Sequence, residues 1–380
     1  MRVGVNTLFL IPDEVGGTET YLRETLRAIA KHSSQIDLVL FTNRENDGLL
    51  RKIFGGYSQV EFHRLDFFAR NRYIRIIREQ IELPVRGRLA HIDLDLLWSP
   101  GYTAPLICSC PQIVTIHDMQ YKTYPEDLQL VSRLVTDIVL RISAWRSSSV
   151  ITDSAFSKSE IVKFTSTLPE SVYVVPLGVA RAFSEKPSKE AVGENISHII
   201  DAQRGYLLCV ANSYPHKNVD GLVKAFGRIL SIIPHQLVIV GRPGLGENSL
   251  REALEILPDP GRVTRLSHVS RDELIALYQC ASLFVFPSLY EGFGLPVLEA
   301  MMAGVPVVTT RCGSIPEVGG NCVCYFDHKD LTDLSHKICQ MVNLESIQKT
   351  EWIRRAALRA SKFRWDRTAK ETMRCFQDVL

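Results

Sequence analysis

The sequence predicts an α/β protein of two doubly wound domains, each a mostly parallel sheet covered by helices, on three observations. Short apolar, β-branched runs alternate with segments of helical period along the chain. The alternation stops at a polar stretch, residues 184–197, and then restarts. The 380 residues, 46% hydrophobic, are enough for two cores, since a domain usually holds about 100–200 residues. Strands that alternate with helices pair in parallel, because each crossover helix returns the chain to the same sheet edge and covers a face.

A first series of strands reads at 2–6, 38–42, 60–64, 96–99, 113–117, 149–152 and 172–175. A second reads at 206–211, 236–240, 263–266, 283–286 and 306–309. Between them, residues 21–31 place Leu22, Leu26 and Ile29 on one helix face, and residues 218–232 do the same with Leu222, Phe226 and Ile229. The tail, 352–380, reads as helix broken around 363–366. The expected domains are 1–178 and 179–364, with 365–380 as a final helix.

Composition excludes some classes. Lys plus Arg is 44 against 42 for Asp plus Glu, a net charge of +2, so nothing draws the whole chain to nucleic acid. No window approaches the roughly 18 uninterrupted apolar residues of a spanning helix. The apolar start imitates a signal peptide, but Asp13 and Glu14 follow at once without a small-residue cleavage site, so a strand and a cytoplasmic location are expected. The nine cysteines are odd in number and form no C-x-x-C, which reads as buried free thiols in a reducing compartment.

The strongest motif is SLYEGFGLPVLEAMMAGVPVV, residues 288–308. A strand feeds a loop with Gly292 and Gly294, a helix opens near Pro296, Gly304 closes it, and the next strand begins. The loop thus stands at the carboxyl end of a parallel strand, where open sheets bind ligands. Amides of Gly294 and Leu295 at a helix start favour phosphate. Glu291 lies in the loop and Glu299 a turn into the helix, and a carboxylate can accept from two vicinal hydroxyls at once. A second motif, VANSYPHKNVDGLVKAF, residues 210–226, puts Lys217 where strand-following loop meets helix, so its charge and the helix amides could face one diphosphate. A third, Val15-Gly16-Gly17-Thr18-Glu19, is either a phosphate cradle at a helix start or a plain tight turn; it is not the G-x-G-x-x-G fingerprint. A fourth, TIHDMQY, ends a strand with His117 and Asp118. Ser154 reads as a helix cap in preference to an acceptor contact.

Glu291-x7-Glu299 with GFGLP between them resembles the signature of retaining glycosyltransferases of the GT-B fold, specifically glycosyltransferase family 4. The resemblance spans nearly the whole chain, with the glycine loop, the histidine, the lysine loop and the paired glutamates in family order. It implies two Rossmann-like domains facing across a cleft, with the last helix returning to the first domain. It implies that Glu299 holds the nucleotide ribose, that Glu291 contacts the sugar, and that Gly292, Phe293, Gly294 and Leu295 offer backbone amides to sugar and phosphate. Lys217 becomes the pyrophosphate lysine, Gly16 and Gly17 close over the phosphate, and His117 lies against the sugar. Asn212 and Val269 complete the expected donor-binding set. Many relatives carry an arginine six residues before the lysine; here that position is Ala211, which leaves the second phosphate cation unassigned. The PHKN form resembles a branch of mannosyltransferases of surface polysaccharides.

The expected reaction is therefore transfer of a hexose, first choice mannose from GDP-mannose, to a saccharide or lipid-linked acceptor, with no cofactor beyond the nucleotide sugar. No metal is expected: the one D-x-D, Asp93-Leu94-Asp95, sits in an apolar setting. The rivals are a nucleotide-sugar epimerase on the same fold and a non-catalytic donor-binding subunit of a polysaccharide complex. The stretch from Arg64 to Arg88 holds seven arginines with Phe67, Phe68, Ile74, Ile77 and Ile81. It reads as a helix that packs its isoleucines inward and exposes arginine, or as a peripheral contact with anionic lipid at the inner membrane face.

Overall fold

The structure is a computed structural model that describes residues 1–89, 92–185, 200 and 204–380. Most of the polar stretch 184–197, and the side chains of Arg72, Arg86 and Arg88, lie outside the described residues. The chain forms two compact units. The first comprises Met1–Met119, Gln129–Gly178 and Arg364–Leu380; the second comprises Gln120–Leu128 and Val179–Phe363. Residues 120–128 depart from a simple division at 178, because Gln120, Tyr124 and Asp127 bond to His216 and Leu289 of the second unit.

The first unit is a seven-stranded sheet, all its pairings parallel, of β1 (Arg2–Asn6), β2 (Asp37–Thr42), β3 (Val60–Arg64), β4 (Leu96–Ser99), β5 (Gln112–Thr115), β6 (Ser149–Thr152) and β7 (Val172–Val174), in the order β3-β2-β1-β4-β5-β6-β7. β4 and β6 are buried at every residue, as strands covered on both faces must be. Arg2 N donates to Asp95 Oδ2 at 2.7 Å, so one carboxylate of the D-x-D is spent on aligning β1. Ser154 caps its helix, accepting from Ser157 N at 3.0 Å. The last helix, Trp365–Val379, lies on Gly17–His32 of this unit; Phe376 is fully buried with its ring 5.5 Å from Trp98, and Thr368 Oγ1 donates to Pro176 O.

The second unit repeats the plan with six strands: β8 (Tyr206–Val210), β9 (Gln236–Val240), β10 (Val263–Leu266), β11 (Leu283–Phe286), β12 (Val307–Thr309) and β13 (Cys324–Tyr325). Their order is β10-β9-β8-β11-β12-β13, again all parallel. In each sheet the strand order reverses beside the first strand.

Two expectations are corrected. All nine cysteines are free, but only Cys209 and Cys375 are buried; the rest are half-buried. The helix Arg72–Leu89 does not pack Ile74, Ile77 and Ile81 inward: they are 46%, 57% and 57% exposed. Its core face is instead Ile76, Glu79 and Leu83, at i, i+3 and i+7. Beside it, Leu130–Arg146 exposes Leu130, Val131, Leu134, Ile138 and Trp145, and Tyr73 Oη lies 3.2 Å from Ser132 Oγ, which joins the two stripes. Among the described residues no helix is long and apolar enough to cross a membrane.

Phe376→Ala removes the ring that the last helix contributes under Trp98, and is expected to destabilise the first unit by about 3–5 kcal/mol. Urea unfolding followed by Trp fluorescence measures this; an unchanged transition would mean that the helix adds nothing to that core.

Candidate active site

In the second unit, β8 and β11 are sheet neighbours whose following connections leave in opposite directions, which opens a crevice at their carboxyl ends. The Lys217 loop follows β8 and the Glu291 loop follows β11. The structure brings the two motifs into contact: Lys217 Nζ donates to Glu291 Oε1 at 2.6 Å, with both side chains largely buried. The loops are also tied through their backbones, since Leu289 N donates to His216 O at 2.7 Å.

Each loop is stiff for identifiable reasons. Pro215–Lys217 makes a single 3-10 turn, Asn218 takes a left-handed conformation, and the helix Val219–Gly227 starts there. His216 is buried, and its Nδ1 faces Asp127 Oδ2 at 2.6 Å and Gln120 Nε2 at 2.9 Å. On the other side, Glu291 O accepts from Ser314 N and Ser314 Oγ at 3.1 and 3.0 Å. Gly313, at φ +61°, lies so close that a Cβ would come within 2.5 Å of that oxygen. Gly294, at φ +98°, starts the helix Leu295–Met302, whose first bonds run from Val297 N and Leu298 N to Gly294 O. The Leu295 amide therefore stands at the open, positive end of the helix. Phe293 turns its ring against Phe363, centroids 5.9 Å apart, so it has backbone and not side chain to offer a ligand.

Glu299 sits one turn into the same helix. Burial raises its carboxyl to about 7, while the Tyr278 hydroxyl and Arg271 pull the other way. Gly292 lies buried in the loop with Glu291. Asn212 is exposed just after β8, its Oδ1 accepting from Arg242 N at 2.8 Å, and Val269 lies half-buried in the connection after β10. Among the described residues no three His, Cys, Asp or Glu side chains are grouped to hold a metal.

The remaining expected residues belong to the first unit. Gly16 and Gly17 open the helix Gly17–His32, Gly16 at φ +59°, and a Cβ at either would meet nothing within 4 Å. The loop before them is held by Asn43 and Asn46, whose side-chain amides donate to the carbonyls of Thr7, Leu8 and Leu10. His117 lies two residues past β5, buried, with Nδ1 2.7 Å from Asp153 Oδ2 and Nε2 3.3 Å from Pro100 O. Burial opposes charge on this ring, but Asp153 outweighs it and the pKa is raised. Asp153, Asp127 and His216 were missed by sequence reasoning. Only the position of His216 beside Lys217 hinted at a role, since its acidic partner is 89 positions away.

The Glu299 assignment has a pH signature. Between 4.5 and about 7 the folded carboxyl keeps a proton that the unfolded chain has released, so its contribution to stability falls as pH rises through that window. Glu299→Gln cannot ionise. It is expected to match the parent near pH 5 and to exceed it above pH 7 by on the order of 2 kcal/mol. Melting curves from pH 5 to 8 check this; parallel curves would place Glu299 in water.

Comparison with known proteins follows the same lines. The family model described as Glycosyltransferase Family 4 matches residues 15–183, and that described as Glycosyl transferases group 1 matches residues 194–359. O-antigen chain mannosyltransferase B of Escherichia coli is 29% identical over 272 residues, 70% of this chain and 70% of that protein. O-antigen chain mannosyltransferase RfbU of Salmonella typhimurium is 29% identical over 249 residues, 65% of each. Among solved structures, sucrose-phosphate synthase from Thermosynechococcus elongatus covers 100% of this chain and 99% of its own, with 17% identity and a TM-score of 0.81. Anabaena Alr3699/HepE in complex with UDP-glucose covers 100% of both chains, with 16% identity and a TM-score of 0.77. The likeness to these structures is one of fold, two Rossmann-like domains of the GT-B type. With nearly the whole length matched by the two family models and the paired glutamates in place, the chain belongs to the group 1 glycosyltransferases of family 4.

Proposed function

We propose that this glycosyltransferase moves a hexose from a nucleoside diphosphate sugar to a saccharide or lipid-linked saccharide, with retention at the anomeric carbon and without a metal ion. The observation that carries the reading is the Lys217–Glu291 contact at the strand switch point, with Glu299 a turn into the helix that follows the Glu291 loop. A diphosphate leaving group gathers negative charge as the glycosidic bond breaks. Lys217 and the Leu295 amide are cationic or positively polarised groups fixed before the reaction, which is what stabilises such charge most effectively. Glu291, released from Lys217 by the phosphate, is free to accept from sugar hydroxyls. Glu299, once ionised, accepts from both ribose hydroxyls. His117, oriented by Asp153, serves to position the sugar. Mannose from GDP-mannose is the first choice of donor, supported by the names of the two O-antigen mannosyltransferases. HepE, in complex with UDP-glucose, makes the uridine nucleotide the second.

Thermal unfolding with GDP, UDP, dTDP and ADP, each with and without EDTA, tests the donor site, because a ligand that binds only the folded chain raises its apparent stability. One diphosphate should raise the melting temperature, EDTA should leave that rise intact, and Lys217→Ala and Glu299→Ala should abolish it. No rise with any nucleotide would refute the donor assignment and favour a different use of the fold; nucleotide released from GDP-mannose or UDP-glucose without acceptor would favour the epimerase chemistry.

The acceptor side carries a second reading. Ile77 and Ile81 are exposed on the helix that also carries Arg75 and Arg78, and Leu134 and Ile138 are exposed on Leu130–Arg146 beside it, a combination of apolar and basic residues suited to an anionic bilayer interface. The parent chain should sediment with vesicles containing phosphatidylglycerol and not with neutral ones, and Ile77→Ser with Ile81→Ser should free it. Equal sedimentation of parent and variant would assign the surface elsewhere.

A further inference from the structure

The donor proposed above carries two phosphates, and the site so far assigns them one cation, Lys217, whose charge is already matched by Glu291 at 2.6 Å. Ala211, at the base of the same loop, brings none. Four arginines stand beyond the carboxyl ends of this sheet's strands or within them. Arg265 is held by Glu247 through two bonds, at 2.8 and 3.0 Å. Arg311 lies over the Tyr325 ring with its Cζ 4.0 Å from the centroid. Arg271 acts on Glu299. Arg242, which follows β9, has no side-chain partner among the described residues and is half-buried.

The backbone of Arg242 is fixed with unusual care for a residue with nothing to hold. Gly241 to Gly246 lies directly on the chain that leads into the Lys217 loop. Arg242 N donates to Asn212 Oδ1 at 2.8 Å, Ser213 N donates to Arg242 O at 3.1 Å, Gly244 N donates to Ser213 Oγ at 2.8 Å, and Gly246 N donates to Ser213 O at 2.7 Å. The contact is backbone on backbone: a Cβ on Gly241 would fall 2.0 Å from Ala211 O, and one on Gly246 would fall 2.7 Å from Ser213 O. Since β9 and β11 flank β8, Arg242 and Glu291 stand on opposite sides of the Lys217 loop.

Resting on the donor reading, we propose that Arg242 is the second phosphate-binding cation of the donor site, taking the diphosphate from the β9 side while Lys217 takes it from the β11 side. A guanidinium offers two parallel N–H donors to phosphate oxygens, a geometry that an ammonium does not reproduce. Asn212 then serves the donor through the Arg242 backbone and not by direct contact.

The test is calorimetric titration of the full chain with GDP, UDP, dTDP and ADP, followed by the monophosphate and the free nucleoside of whichever binds. Arg242→Ala should weaken the diphosphate about tenfold or more, weaken the monophosphate less, and leave the nucleoside unchanged. Arg242→Lys should recover only part of the loss. Arg242→Gln keeps length and polarity should the alanine variant fold poorly, and should behave as the alanine variant does. Diphosphate binding at parental strength in Arg242→Ala, while Lys217→Ala abolishes it, would overturn this proposal alone. An equal loss for nucleoside and diphosphate would make Arg242 a base contact or a structural residue and overturn it too. A parent chain that binds no nucleoside diphosphate would overturn both this proposal and the donor reading beneath it.

Discussion

The arrangement at the candidate site depends on one constraint, the adjacency of β8 and β11 in a parallel sheet. These strands belong to different halves of the second unit, yet their pairing sets the two following loops side by side. Residues 74 positions apart thereby meet as the Lys217–Glu291 pair. Nothing local could deliver that contact. Each strand is short and nearly all buried, so its register is set by packing on both faces, and a slip of one residue would reverse every side chain. The loops inherit that accuracy. Their own stiffness comes from proline, from left-handed residues and from carbonyls such as Glu291 O that already have their donors.

Buried polar supports recur in both units, which raises what is at stake in each. His216 with Asp127 and Gln120 in the second unit, and His117 with Asp153 in the first, are hydrogen-bonded in places water scarcely reaches, each through Oδ2 of its aspartate while Oδ1 has no partner among the described residues. A buried polar group with its partner fixes one arrangement; without it the desolvation cost stands uncompensated. Glu299 is the contrary case. Its carboxyl sits where ionisation is unfavourable, and the fold tolerates the position although packing alone would prefer a neutral side chain there. Such local costs are commonly found where a ligand is expected to supply what the protein withholds.

Much of this was legible in the sequence. The twelve strands read from apolar runs appear within a residue or two, because each run is bounded by turn formers and lies between amphipathic helices. β13 escaped, since Cys324–Tyr325 is too short to carry a periodic signal. The helix of residues 72–89 was read on the wrong face because it has two apolar rows, and Ile76 with Leu83 left no local mark that distinguished them from Ile74, Ile77 and Ile81. At the site, the paired glutamates, the glycines and Lys217 were visible because they cluster along the chain. Asp127 and Asp153 were not, since their partners lie 89 and 36 positions away and a lone aspartate carries no pattern. Arg242 was hidden for a related reason: its importance rests on where the Gly241 loop lies, which only the docked backbones reveal.

The first unit is assembled from three separate stretches of chain, and its sheet is roofed by the helix that ends at Val379. Trp98 is fully buried partly under Phe376, so the hydrophobic interior begun by the earliest strands stays incomplete until the helix Trp365–Val379 has been synthesised. The second unit is complete at Phe363, before that helix begins. Growing from the ribosome, the protein can finish its second unit first and must hold the earlier one open, with apolar strands unsheltered, until the helix Trp365–Val379 emerges. The order of completion is thus the reverse of the order in which the two units begin, and the interval before that helix emerges is when this chain is most exposed to aggregation.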